Sequence, residues 1–391
     1  MCAPGRVVLA TSLLAGLAMG LTTLEDYVAS FDPHYQYTVL DQYTLQGSDF
    51  TLYYLNMTSL KWLDETLVDA PIWWHYLVIC VPQEVDPSFS DRSFLHVGNG
   101  ARGDPPPSTL KRDVSFIVNM ARKTRTVAAY LSNIPNQPLT FSSGPWKSRQ
   151  VTETDIMFAQ WWQFLHNETA RPDWLALFAM TKAGVRSLDT VTDFMLKLSN
   201  GRQNITKFMV SGVSKRGWTT WLLAAVDDRV VAFVPISCYW LNVIENFHRH
   251  YRCFGGWTVA HWNFQTLNLS GYLDSPRFQE MMGYIDPFYY MDRYQTKPKL
   301  LVFGSGDEFF SPDGTMYFYE QLPGTKYLRR DFRYLAPLLG VSWFSSAVEK
   351  LVLGFPFPEL CAPGFAAEPP VRKGHHGFIA AMTFGNLAGR R

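Results

Sequence analysis

Residues 209–229, MVSGVSKRGWTTWLLAAVDDR, set one serine, Ser214, between two glycines. An apolar, strand-like run (207–211) precedes it and a helix-like run (219–226) follows. A serine hydroxyl is a poor nucleophile until a base takes its proton. A tight strand–turn–helix corner exposes such a serine, and small neighbours keep the corner free of clashes. Gly212 lies two residues before Ser214, as that corner requires. Arg216 stands where a second glycine is expected and Gly217 follows, so the pattern is G-x-S-x-x-G. Taken alone, it serves a nucleophile and a plain turn serine equally well.

The partners of such a serine have an expected order, with an acid after a later strand and a histidine later still. The stretch KLLVFGSGDEFFSPDG (299–314) reads as a strand, a Gly/Ser turn and then Asp307, where a carboxylate can orient an imidazole and stabilise its charged form. Asp313 is the second choice, although Pro312-Asp313-Gly314 also reads as a turn that caps the next helix. Two backbone N–H groups are needed for a developing oxyanion. Lys215, directly after the serine, supplies one; Gly98, Asn99 and Gly100, in the loop after an early strand, offer the other.

These residues need a rigid frame. Strand-like runs at 73–81, 93–97, 126–131, 207–211, 230–236 and 299–303 alternate with helix-like runs at 151–166, 188–198 and 219–226, with Ser187 placed to cap the second helix. Such alternation predicts an α/β fold with a largely parallel sheet flanked by helices. The run 73–81 is apolar throughout, as for a strand covered on both faces. Residues 238–297 are crowded with aromatics and lack a clear period; they read as a cap-like insertion, or as helices with an unresolved pattern. A net charge of +1 and no long Lys/Arg run exclude an electrostatic nucleic-acid binder. No phosphate-cradling motif, cofactor motif or zinc-like Cys/His spacing is present, so neither cofactor nor metal is expected.

The N-terminus predicts export. Arg6, an apolar run at 7–17 and small residues at 18–20 make a signal peptide over residues 1–20, too short to span a bilayer. Asn56, Asn167, Asn204 and Asn268 each head an N-x-S/T glycosylation acceptor. No later segment reaches 18 apolar residues, so a secreted, extracellular glycoprotein without a membrane span is expected. In an oxidising compartment Cys238 and Cys253 can close a short disulfide loop, and two separate buried thiols are nearly as well supported.

The stretch GVSKRGWTTWL (212–222), with GDEFFSPD (306–313) and LPGTKYLR (322–329), resembles the PhoPQ-activated pathogenicity-related proteins. The resemblance runs from Leu24 to Arg329 and accounts for Arg216, since the family's elbow carries Lys-Arg-Gly. It implies an α/β-hydrolase-like domain over 21–329, with Ser214 at the elbow and Asp307 as acid. It also places a histidine soon after the Tyr327-Leu328-Arg329 stretch. This chain has none between Tyr327 and Gly374. Residues 330–391 read as a divergent, irregular segment, in which His375 and His376 are the only histidines after Asp307; chain order nominates His376, with His375 beside it, as the base. His75 reads as a core-strand residue, His248, His250 and His261 fall in the insertion, and His96 lies near the proposed oxyanion loop.

Two functions follow. One is a secreted serine hydrolase acting on an ester or peptide bond of a small-molecule or peptide substrate. The other, implied by a family that includes a secreted repressor of proliferation, is a signalling protein on a hydrolase scaffold, acting through a cell-surface receptor with catalysis weak or lost.

Overall fold

Residues that alternate or run continuously in apolarity become the sheet. The structure, a computed structural model, describes residues 23–307 and 309–331. The strands are β1 (Gln36–Val39), β2 (Leu45–Gln46), β3 (Phe50–Lys61), β4 (Ile72–Pro82), β5 (Arg92–Val97), β6 (Val127–Leu131), β7 (Leu139–Thr140), β8 (Gln150–Val151), β9 (Lys207–Val213), β10 (Val230–Ile236), β11 (Lys299–Gly304) and β12 (Lys326–Asp331). The α-helices are α1 (Leu24–Ala29), α2 (Arg112–Thr124), α3 (Thr154–His166), α4 (Ala176–Leu198), α5 (Lys215–Val226), α6 (Val243–Phe254), α7 (Trp262–Thr266) and α8 (Pro276–Ile285).

Among the described residues, one sheet has the order β1-β3-β4-β6-β5-β9-β10-β11-β12, with β2 on β3. β6, β5, β9, β10, β11 and β12 run parallel. β1, β3 and β4 pair antiparallel at one end, and β4 also meets β6 antiparallel. The inner parallel strands are buried along almost their whole length, as strands covered on both faces must be. The expected run at 73–81 differs. Trp74 and Tyr76 of β4 are half-buried while Trp73, His75 and Leu77 are buried, so the first half of β4 alternates as an antiparallel strand with one wetter face.

Alternation along the strands shows which helices cover which face. Phe94 and His96 of β5 touch Phe116 of α2. Leu95 and Val97 belong instead to the core cluster that contains Trp221 and Leu223 of α5 and Met180 and Leu188 of α4. Successive strand residues point to opposite faces, so α2 lies on one side and α4 with α5 on the other. Ser187 is not a cap: it is buried inside the 23-residue α4, its hydroxyl donating to Gly184 C=O at 2.6 Å.

Between β10 and β11 the chain forms α6, α7 and α8 with short 3-10 turns, so the aromatic stretch does contain helices. Its pattern is blurred because rings pack on rings: Phe247 lies 4.6 Å from both Trp240 and Phe264, and Trp257 lies 5.0 Å from Phe264. Among the described residues no helix is long and apolar enough to cross a membrane.

Cys238 and Cys253 are not bonded to each other. Cys238 is buried beneath α5, where its Cβ lies 2.8 Å from where a Cβ on Gly217 would be. Cys253 is exposed at the end of α6, its thiol 3.5 Å from Asp313 Oδ2. A thiol reagent applied to folded protein is therefore expected to modify Cys253 and spare Cys238 and Cys80 until denaturant is added. Mass mapping of the modified peptides checks this.

Trp221 ties the layers together. Its indole N–H donates to Cys238 C=O at 3.0 Å, and its ring meets Phe233 at 4.9 Å and Tyr294 at 5.1 Å. Trp221→Ala is expected to cost about 3–5 kcal/mol, read as a lowered midpoint in urea unfolding.

Candidate active site

β9 ends at Val213 and α5 begins at Lys215, leaving Ser214 alone at the corner. Its backbone has φ 59° and ψ −126°, a conformation non-glycine residues hold only when their surroundings force it. Its N–H donates to Ile236 C=O at 2.8 Å, and its C=O accepts from Trp218 N–H at 3.1 Å. Both glycines are needed for this geometry. A Cβ on Gly212 would lie 2.5 Å from Arg216 O, and one on Gly217 would lie 3.0 Å from Ile236 O. Ser214 is half-buried, with part of its surface open.

Asp307 follows β11. Its Oδ1 accepts from Phe309 N–H at 3.0 Å and Phe310 N–H at 2.9 Å, and its Oδ2 accepts from the Ser237 hydroxyl at 3.2 Å. Ser237 directly follows Ile236, the residue that anchors Ser214 N–H. Ser214, Ser237 and Asp307 thus lie just past the ends of three adjacent parallel strands, β9, β10 and β11. Ser237 was not singled out in the sequence; nothing but its place after a strand marks it. Asp313 is turned away to α6, where Arg249 Nη2 lies 2.7 Å from its Oδ2. Burial pushes its carboxyl up, but hydrogen bonds from Ser311 and Arg249 outweigh that and hold it below its ordinary value.

The loop after β5 begins beside the elbow, since Val97 pairs with Gly212. Gly98 is excluded as an oxyanion donor: its N–H is committed to Leu131 C=O at 2.8 Å. It is glycine because a Cβ would fall 2.1 Å from the Tyr130 ring. Asn99 is exposed and Gly100 half-buried. Lys215 occupies the first position of α5, where a backbone N–H has no intrahelical acceptor.

Beneath the elbow lies a charge cluster that the sequence did not reveal. Glu153, at the N-terminus of α3, takes Arg216 on both oxygens, with Nη1 and Nη2 each at 2.7 Å. Lys215 Nζ lies 2.5 Å from Oε2 of the same carboxylate. Burial raises the Glu153 carboxyl, yet Arg216 and Lys215 outweigh it and hold the carboxyl well below its ordinary value. Burial acts the other way on Lys215 and, with the neighbouring Arg216 charge, holds its ammonium below its ordinary value despite Glu153. The three-donor geometry on Glu153 supports an ionised cluster. Arg216 was visible as an oddity at the second glycine's place; Glu153, 63 residues away, carries no local signal.

The histidines of the described region have other places. His75 is buried between Ser59 Oγ at 2.8 Å and the C=O groups of Ser132 and Asn133, both at 3.1 Å. His96 is buried against Ser211 Oγ at 2.8 Å, and burial holds its ring down to about 4; it is a structural group of the sheet. His248 pairs with Asp274 at 2.6 Å. His250 and His261 stack among the insertion's aromatics. His375 and His376 lie outside the described residues, as do the signal-peptide residues 1–20 and the segment beyond 331. Asn56, Asn204 and Asn268 are exposed, and Asn167 is half-buried with its Oδ1 accepting from Thr169 Oγ1 at 2.8 Å. Among the described residues no three His, Cys, Asp or Glu side chains gather as a metal site.

A mostly parallel sheet flanked by helices, with a serine on a strained corner between strand and helix, defines an α/β-hydrolase-type scaffold. Solved structures agree: the chain is similar to an acetyl xylan esterase from Paenibacillus sp. R4 (TM-score 0.55, 14% identity, 85% of this chain and 92% of that one). It is also similar to acetyl xylan esterase 1 from Thermoanaerobacterium sp. JW/SL YS485 (TM-score 0.51, 13% identity, 85% and 90%). Residues 24–331 match the PhoPQ-activated pathogenicity-related protein family, and the chain belongs to it. Over 326 residues it is 35% identical to autocrine proliferation repressor protein A of Dictyostelium discoideum, covering 83% of this chain and 62% of that protein's length.

Gly212→Ala is expected to cost about 1–3 kcal/mol, because the added carbon meets backbone rather than a flexible side chain. Gly103→Ala, where a Cβ meets nothing within 4 Å, is the control. Urea unfolding of both variants checks the difference.

Proposed function

We propose that this chain is a secreted serine hydrolase that cleaves an ester or peptide bond with Ser214 as nucleophile. The observation that carries the reading is the left-handed backbone of Ser214, forced at the corner by Gly212 and Gly217. In that pose Ser214 Oγ attacks the substrate carbonyl while a histidine takes its proton. Asp307 orients that histidine; its Oδ1 is already fixed by two backbone N–H groups. Lys215 N–H, with Asn99 or Gly100 N–H, receives the charge that develops on the carbonyl oxygen. His376 or His375 supplies the imidazole. The aromatic insertion shapes an apolar pocket. Export rests on the leader-like N-terminus and the four glycosylation acceptors.

The second reading is a secreted signalling protein on the same scaffold, recognised by a receptor and with little catalysis. Its support is the 35% identity with a protein named as a proliferation repressor, together with the absence of any histidine between Tyr327 and Gly374.

Fluorophosphonate labelling separates the two, because it requires an activated serine. The expected result is labelling of wild type, none of Ser214→Ala, and loss in a His375→Ala/His376→Ala double variant. Well-folded wild-type protein that takes no label would sink the hydrolase reading in favour of the binding one.

A further inference from the structure

Glu153 shares with Ser214 an unusual backbone. It has φ 54° and ψ −128°, against 59° and −126° at Ser214, and each residue sits immediately before a helix. Surroundings must hold a non-glycine residue in such a conformation. At Glu153 those surroundings are the two halves of the proposed oxyanion site. On one side its carboxylate binds Lys215 and Arg216, the first two residues of α5. On the other it accepts from Gln137 Nε2 at 2.7 Å, while Glu153 N–H donates to Gln137 Oε1 at 2.6 Å. Gln137 Nε2 also donates to Gly100 C=O at 2.9 Å. Arg216 Nε donates to Ile134 C=O in the loop after β6, binding that loop as well.

We infer that Glu153 is a positioning residue that latches the nucleophile elbow and the Asn99–Gly100 loop into one rigid oxyanion site. The inference rests on the serine-hydrolase reading for its catalytic meaning. The physical case is one of preorganisation: two backbone donors on separate loops stabilise a developing charge only if they are fixed before it forms. One half-buried carboxylate reaches the elbow directly and, through Gln137, the loop at Gly100. Bidentate arginine holds an angle as well as a distance, so Arg216 sets the direction in which α5 presents Lys215 N–H. Two cations on one carboxylate also leave Glu153 with no alternative partner to rotate toward without stranding a buried charge.

The test compares Glu153→Gln with wild type by two readouts: the rate of fluorophosphonate labelling, and hydrogen–deuterium exchange at residues 98–101 and 212–217. Expected are a fall in labelling rate of about tenfold or more, as for a misplaced catalytic geometry, and faster exchange in both segments together. Glu153→Asp, which keeps the charge, is expected to recover part of both. Unchanged labelling with exchange rising only around residue 153 would reduce Glu153 to an ordinary structural ion pair and overturn the inference. Should Glu153→Gln fail to fold, Gln137→Leu severs the arm to Gly100, together with Gln137's own two bonds to Glu153, and leaves Lys215 and Arg216 on the carboxylate; unchanged exchange at 98–101 there overturns the latch equally. If wild type takes no label, the hydrolase reading fails, and the exchange readout still decides whether the latch exists.

Discussion

The close approach of backbone to backbone at the elbow governs what surrounds it. Gly212 lets the first turn of α5 fold back over the end of β9, and Gly217 lets the same helix lie on Cys238 and on the end of β10. With α5 that near, Trp218 and Trp221 reach the backbone of Ile285 and Cys238 with their indole N–H groups. The insertion is thereby bound to the helix that carries the serine. A side chain at either glycine would lift α5, and the core between helix, sheet and insertion would lose its fit.

Close packing explains why charge was buried under the corner. The first turn of α5 carries Lys215 and Arg216 where small residues would be simplest to bury. Burying an unpaired cation is costly, so the fold must supply a carboxylate there. Glu153 does so from α3, and Gln137 extends its reach to the neighbouring loop. An extra arginine at the elbow is therefore the visible half of an interaction whose other half comes from a distant helix.

Local pattern reveals one half of such an interaction and not the other. Strands β5, β6, β9, β10 and β11 were legible because full burial demands continuous apolar runs. The places of Ser214 and Asp307 past strand ends were legible because each follows such a run with small turn residues. β3 was missed: its 12 residues carry Asn56, Thr58 and Ser59 inside an alternating pattern. α2, with Arg112, Asp113, Arg122 and Lys123 near its ends, looks polar until its inner face of Val114, Ile117 and Met120 is seen. Gly98 was assigned a donor's role on its place after an early strand and on glycine content, whereas its missing side chain makes room for Tyr130. The paired cysteines failed for a similar reason, since short spacing says nothing of which side of a helix a thiol faces. Glu153 and Ser237 act through contacts that no local pattern encodes.

The insertion meets the site at Asp307. Phe309 and Phe310 fix the carboxylate through their backbone N–H groups and pass their rings to the insertion. Phe309 stacks on Trp240 at 4.8 Å and on His261 at 4.6 Å, and Phe310 lies 4.7 Å from Trp240. Hydrogen bonds thus set Asp307 while ring packing sets the turn that bears those donors. A shift of the insertion would move the Phe309–Phe310 turn, and with it Asp307. The aromatic excess of this chain is in part the means by which a distant segment holds Asp307 past the end of β11, with β10 between it and the serine's strand. On the opposite side Gly100 C=O accepts from Gln137, which also bonds Glu153 of the charge cluster. Apolar stacking fixes the turn at Asp307 and buried ion pairing the first turn of α5, so the two flanks of Ser214 answer to different conditions: ionic chemistry acts at Glu153, and hydrophobic packing at the Phe309–Phe310 turn.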